Sequence, residues 1–120
     1  MYSLMKARKD YVRLSRTGKR FFFSSFIAQV LPVHDRIGMV GITTTKRLGG
    51  SVFRHRAKRR LKETVRLWAK ENAKPLAYDI VLVAKSRIFD LDFIDLRREW
   101  SEVLSKLEKN QDWVHEEIHR

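Results

Sequence analysis

The sequence predicts an α+β domain in which helices cover one small sheet. Two observations carry that expectation. Apolar residues recur at helical spacing in three segments and gather into short branched or aromatic runs in three others, in the order helix, strand, strand, helix, strand, helix. The chain has 120 residues, of which 43% are hydrophobic, enough for one modest core, so a single domain is expected.

The first helix is expected over residues 5–17, MKARKDYVRLSRT, where Tyr11, Val12 and Leu14 stand among basic positions and Gly18 closes the pattern. Residues 20–31, RFFFSSFIAQVL, are dense in aromatic and branched side chains and stop at Pro32. They read as one strand, buried on both faces over part of its length. Taken singly, the aromatics at 21, 22, 23 and 26 are expected to serve the core rather than a binding surface. A turn at VHDRIG leads to a second strand over 38–45, GMVGITTT, most simply antiparallel to the first.

Gly49 and Gly50 break that pattern, and Ser51 is the expected N-cap of a helix that runs to about Asn72, before Pro75. At about 100° per residue, Phe53, Ala57, Leu61, Val65 and Trp68 gather in a sector roughly 120° wide, which is the core face. Arg54 falls in the same sector, but in the first turn, where it can project off the helix end. Residues 78–84, YDIVLVA, make a third strand. Residues 91–109 make a last amphipathic helix with Phe93, Leu96, Trp100, Leu104 and Leu107 inward.

Composition narrows the function. There is no cysteine, which excludes disulfides, thiol catalysis and thiolate metal sites. Of the histidines at 34, 55, 115 and 119, only His115 and His119 have helical ligand spacing, and they lack a third ligand nearby, so no metal site is expected. No run of about 18 apolar residues exists, and MYSLMKARKD lacks the apolar stretch of a secretory signal. A cytoplasmic protein is therefore expected, with no membrane partner.

The net charge of +12 is unevenly spread. Nine Lys or Arg and no acid lie between Arg36 and Lys62, whereas Asp90 to Arg120 holds nine acids against five Lys or Arg. A solubility surface mixes signs along the chain; concentration of one sign points to a polyanion. The focus is the segment 49–68, GGSVFRHRAKRRLKETVRLW, with eight basic side chains and one carboxylate, Glu63. A solvated helix interleaves Glu with Lys at four-residue spacing, and this one does not. A DNA-reading helix offers Asn, Gln or Ser among its cations and follows another helix at a tight turn. Here a threonine-rich strand precedes it, which suits phosphate tracking and contact with an unstacked nucleic-acid strand.

The run from Gly41 to Glu63, GITTTKRLGGSVFRHRAKRRLKE, resembles the signature of the bacterial ribonuclease P protein subunit, approximately G-hydrophobic-S-V-S-K-K-hydrophobic-G-N-A-V-x-R-N-R-x-K-R-x-x-R-E. Lys9, Asp10 and Tyr11 resemble the first-helix K-x-x-D/E-F motif, and YDIVLVAK at 78–85 the strand that follows. Residues from about 110 to 120 lie outside the resemblance and are expected to be a variable tail of the one domain that spans 1–120. The resemblance implies a small mixed sheet covered by helices, with a left-handed βαβ crossover, an exception to the usual right-handed connection.

It also implies a function. The protein would bind a catalytic RNA and the 5′ leader of precursor tRNA, and promote endonucleolytic removal of that leader. The RNA, with magnesium ions, would perform the phosphodiester hydrolysis, so the protein itself would hold no catalytic residue, no tightly bound cofactor and no metal. By matched position, Arg54, His55 and Arg56 fill the R-N-R motif, with Lys58, Arg59, Arg60 and Lys62 the basic positions after it, and Lys46 and Arg47 the K-K pair; all would face RNA. Tyr11 matches an aromatic that lines a cleft for the single-stranded leader, with Ile27, Gln29 and Thr43 on the sheet side. His55 replaces the motif's usual Asn. Gln29 and Ser15 stand where many members carry aromatic or apolar groups, which implies weaker stacking and stronger hydrogen bonding in the cleft. Two alternatives stand beside this reading: a small basic ribosomal or RNA-chaperone protein, and a metal-independent endoribonuclease working alone. The sequence carries no positioned acid and base pair for the latter.

Overall fold

A computed structural model describes residues 1–109. In chain order the elements are β1 (Ser3–Leu4), α1 (Arg8–Thr17), β2 (Lys19–Phe22), β3 (Phe26–Pro32), β4 (Met39–Thr43), α2 (Ser51–Glu71), β5 (Tyr78–Ala84) and α3 (Phe93–Lys109). Short 3-10 turns at Lys46–Leu48 and Ser86–Asp90 follow β4 and β5. The five strands form one mixed sheet in the order β1-β4-β5-β3-β2.

The strand YDIVLVA takes the centre because it is apolar on both sides: Ile80, Val81, Leu82 and Ala84 are all buried. It pairs antiparallel with β3 and parallel with β4. The expected antiparallel pairing of the first two strands is therefore corrected. β5 lies between them, and β4 reaches it through α2, a parallel βαβ unit whose long crossover is the helix itself.

The single strand expected over 20–31 is a hairpin of β2 and β3. Its turn is set from a distance. The Glu99 carboxylate on α3 accepts from the Ser25 amide at 3.0 Å, from the Ser25 hydroxyl at 2.5 Å and from the Ser24 hydroxyl. A serine pair inside an aromatic run is thus a turn, held by a buried acid some 75 residues away. β1 has only two residues and no periodic signal, and the sequence reading does not include it. The second strand ends at Thr43, and Thr44 and Thr45 lead out of the sheet.

Helix ends also differ from expectation. α1 begins at Arg8, and Met5 before it is buried under the helix rather than in it. Gly18 closes α1 by close approach: its N–H donates to the Leu14 carbonyl at 2.9 Å, where a Cβ would stand 2.5 Å from that oxygen. Gly50, not Ser51, holds the N-cap position of α2, with no side-chain cap. α3 begins at Phe93 rather than 91.

α2 and α3 cover one face of the sheet. Ala57, Leu61 and Val65 of α2 and Leu96, Trp100, Val103 and Leu107 of α3 meet Phe26, Ala28, Val30, Ile80 and Leu82 there. Trp68 and Trp100 join the two helices edge to face, 5.6 Å apart. Of the expected α2 core face, Phe53 is the exception: it is 49% exposed and meets Phe89 edge-on at 6.0 Å. α1 covers part of the other face, where Leu14, Met5 and Val81 form a smaller cluster. The tail from 110 to 120, with His115 and His119, lies outside the described residues.

Candidate nucleic-acid interface

The α1 face of the sheet is only half covered, and strand register says what remains open. Thr43 pairs with Val83, Val83 with Ile27, and Ile27 with Phe22, which places these four in one row across four strands. The neighbouring row runs Gly41, Val81, Gln29, Arg20. Directly paired residues share a face.

Over this floor lies a groove of about 300 Å³ lined by Arg8, Tyr11, Ser15, Gln29, Thr43 and Val83. It adjoins a second hollow of about 390 Å³ lined by Ile27, Thr45, Arg47, Val83, Lys85 and Ser86. Val83 is common to both. Tyr11, Ile27, Gln29 and Thr43, expected to line a cleft, are thus brought together. The Tyr11 hydroxyl donates to the Met5 carbonyl at 3.2 Å, and its ring lies on Gly41, where a Cβ would stand 2.7 Å from a ring carbon. Glycine at 41 is what lets the ring lie on the sheet.

The position of α1, and so of Tyr11, depends on a buried ion cluster. Asp79 on β5 is fully buried and accepts from Arg13 of α1 at 2.6 Å, from both terminal nitrogens of Arg36 at 2.8 and 2.6 Å, and from the Met39 amide at 2.8 Å. Burial alone would raise the Asp79 carboxyl's pKa, but the donors from Arg36, Arg13 and Met39 together outweigh it and hold the group below the usual carboxylate range. Burial likewise pushes Glu99 up, and its serine donors bring it below the ordinary value. The sequence reading missed this cluster; a charged residue inside the apolar run YDIVLVA is the signal that could have found it.

The basic run divides into free and committed cations. Lys46 and Arg47 are exposed on the 3-10 turn after β4, and Arg47 closes one end of the sheet groove. His55, Arg56, Arg59 and Lys62 are exposed along α2, while Arg54 and Lys58 are half-buried. Arg56 and Arg59 line a shallow hollow with Arg60 and Glu63. Lys58 and Lys62 face the other way, sharing a hollow of about 340 Å³ with Tyr11, Gly41 and Lys6 at the β4 edge. Tyr11 therefore borders both the sheet groove and the lysine side of α2. None of Lys46, Arg47, Arg54, Arg56, Lys58, Arg59 or Lys62 has an ion pair among the described residues, whereas Arg66 pairs with Glu63 and Arg97 with Glu71 at 3.0 Å.

Arg60 behaves differently. Its terminal nitrogens donate to the Ile88 and Leu91 carbonyls, each at 2.6 Å, so it ties α2 to the segment that leads into α3. The Arg54 Nε is buried without a hydrogen-bond partner among the described residues. A hollow of about 780 Å³, larger than the sheet groove or its adjoining hollow, lies between the C-terminal ends of α2 and α3, lined by Trp68, Tyr78, Leu104 and Glu108. It takes no residue from the unpaired basic run, so size does not mark the interface here. Among the described residues no group of His, Asp or Glu could hold a metal ion, and no helix is long and apolar enough to cross a membrane.

The chain resembles known proteins along most of its length. The family model for ribonuclease P matches residues 2–108. The chain is 32% identical over 108 residues to the ribonuclease P protein component of Geotalea uraniireducens, covering 90% of this chain and 93% of that one. It is also 32% identical over 106 residues to that of Syntrophus aciditrophicus, covering 88% and 87%. In fold it is similar to the RNase P protein from Thermotoga maritima, with a TM-score of 0.72 at 21% identity over 87% of this chain and 96% of that one. The Staphylococcus aureus RNase P protein gives 0.70 at 22% identity, over 88% and 94%. A family match across nearly the whole described chain, together with 32% identity over 90% of its length, leads to one conclusion: the chain belongs to the ribonuclease P protein family.

Proposed function

We propose that this subunit binds the catalytic RNA of ribonuclease P through the unpaired cations of α2 and the turn before it, and the 5′ leader of precursor tRNA through the half-covered sheet. The observation that carries this reading is the adjacency of two chemically different surfaces. Lys46, Arg47, Arg56, Arg59 and Lys62 offer charge without ion pairs, suited to phosphates. The groove offers one ring, Tyr11, with apolar floor and the amide and hydroxyl of Gln29 and Thr43, suited to unstacked nucleotides.

The protein's contribution is to bind and orient. Phosphodiester hydrolysis belongs to the RNA and the magnesium ions it uses. The two carboxylates buried among the described residues, Asp79 and Glu99, already direct their oxygens at arginine, amide and serine donors, so neither is placed to act as a base or a metal ligand. Arg60 serves the same surface from behind, by holding α2 against the α3 segment. A cytoplasmic setting, with no membrane partner, goes with this role. The reading as a ribosomal or chaperone protein does not account for a groove beside the basic helix.

The decisive experiment is reconstitution of the protein with the catalytic RNA at matched magnesium and salt. Adding the protein is expected to tighten binding of precursor tRNA far more than of mature tRNA, because only the precursor carries the leader. The gain should grow with leader length to about five nucleotides and then level, since one small domain has room for a few extended nucleotides. An equal gain for precursor and mature tRNA would refute the leader groove.

A further inference from the structure

Phe22 is a large side chain that the core does not use. Its neighbours Phe21 and Phe23 pack into the helix-covered core, half-buried and buried respectively, while Phe22 is 69% exposed on the outermost strand. Alternation along β2 turns it to the opposite face, the one with the groove. Register then fixes its place: it pairs with Ile27, which pairs with Val83, which pairs with Thr43.

Phe22 therefore ends a row whose other three members line the groove. The row crosses three strand spacings, about 14 Å. At its β4 end the Tyr11 ring lies on Gly41 and borders Thr43. Between the rings lies an apolar floor, Ile27 and Val83. Cations flank it: Arg47 on the β4 side, and Arg20, two residues before Phe22 and so on the same face, with its guanidinium donating to the Ser15 carbonyl at 3.0 Å. Two rings at the ends of a short apolar floor, with a cation beside each, match what a single strand requires: a face for a base and a charge for its phosphate. A duplex, whose bases are already stacked, has no use for an exposed ring.

We infer that Phe22 is a second stacking platform, taking an unpaired base of the leader at the far end of the groove from Tyr11. It supplies the ring that Ser15 and Gln29 do not. The inference rests on the leader-groove reading, and one set of measurements separates the two. Precursors with leaders of about six nucleotides, intact or carrying one abasic position, are bound to the reconstituted ribonucleoprotein containing wild type, Phe22→Ala, Phe22→Trp or Tyr11→Ala, with melting of each free protein as a control for folding. Phe22→Ala is expected to melt as wild type and to weaken binding of the intact precursor about five- to tenfold, with mature tRNA unaffected. Phe22→Trp should keep wild-type affinity. An abasic site at one leader position should reproduce the loss in wild type and add nothing in Phe22→Ala, and that position should differ from the one coupled to Tyr11.

Wild-type binding by Phe22→Ala, with Tyr11→Ala still lowering precursor affinity, would overturn the inference and leave the groove reading intact. Silence of both variants would end both. An equal loss for mature tRNA, or wild-type self-association that Phe22→Ala abolishes, would assign the ring to the RNA scaffold or to a second copy of the chain, and overturn the inference as well.

Discussion

Arg59 and Arg60 are adjacent, equally basic and both outside the apolar sector of α2, yet they do different work. Arg59 is exposed and unpaired, whereas Arg60 gives both terminal nitrogens to the Ile88 and Leu91 carbonyls. Arg59→Ala is expected to leave thermal stability unchanged, weaken RNA binding and reduce the salt slope by about one unit, the effect of removing a single phosphate partner. Arg60→Ala should show the reverse order, with stability falling by about 1–3 kcal/mol because two carbonyls lose a charged donor. Melting curves and salt titrations of the two variants check this directly, and identical behaviour would show that the division of the basic run is wrong. Periodicity sets Arg60 at the margin of that sector and Arg59 opposite its centre, but it could not have named the partners of Arg60. It says which residues leave the core, and not whether a carbonyl of a later segment awaits one of them. Tyr11, Ile27, Gln29 and Thr43 were legible because the family resemblance places them by position, while Phe22 was hidden inside an aromatic run that reads as core throughout.

Among the elements, α1 and the β2–β3 hairpin are each held by one buried carboxylate, Asp79 for the helix and Glu99 for the hairpin turn. Both groups lie below their ordinary pKa in the fold. A depressed carboxyl stabilises fully above its unfolded value of about 4 and loses that contribution as pH falls through the folded value. Stability is therefore expected to hold from neutral pH down to about 4 and to drop below it. Asp79→Asn should cost about 1–3 kcal/mol at pH 7 and flatten the acid limb; Arg13 and Arg36 remain 37% and 39% exposed and can turn to water, which keeps the cost below that of a fully buried pair. Denaturant melts of wild type, Asp79→Asn and Glu99→Gln between pH 3 and 7 test it, and superimposable acid limbs would remove both carboxylates from the account. The same side chains explain where local pattern misleads. A serine pair becomes a turn only because Glu99 reaches it, and β4 takes its place only because β5, the strand with two apolar faces, claims the centre. The existence and type of the six long elements followed from local pattern, and their pairing did not.

At the scale of the molecule, charge is sorted as well as counted. The cations from Lys46 to Lys62 gather without ion pairs on the β4 edge and the N-terminal half of α2, while α3 pairs its own charges, Arg98 with Asp95 at 3.1 Å for instance. Seven such cations, at roughly 0.7 to 0.9 counterions each, set an expected slope of log affinity against log salt for the catalytic RNA of about −5 to −6. Titration of the complex between 50 and 200 mM salt, roughly the range over which such interactions respond, measures it. A slope near −1 would mean that most of these side chains face water. The sorting was legible in the charge pattern itself; the groove beside it was expected only through the family resemblance, because a groove is made by what α1 leaves uncovered.

The sheet also has an order of manufacture. Its central strand is the last to be synthesised: β1, β2, β3 and β4 all precede β5, yet the β1–β4 pair and the β2–β3 hairpin are joined into one sheet only through it. Until Tyr78–Ala84 has emerged, the nascent chain can form one hairpin and a basic helix with nothing to lie on. Folding must therefore wait for Tyr78–Ala84 and close over contacts distant in sequence, the slow route for a small domain. During that interval the apolar stripe and the cations of α2 are both accessible, so a growing polypeptide meets the cell's RNA before it has a shape with which to choose among them.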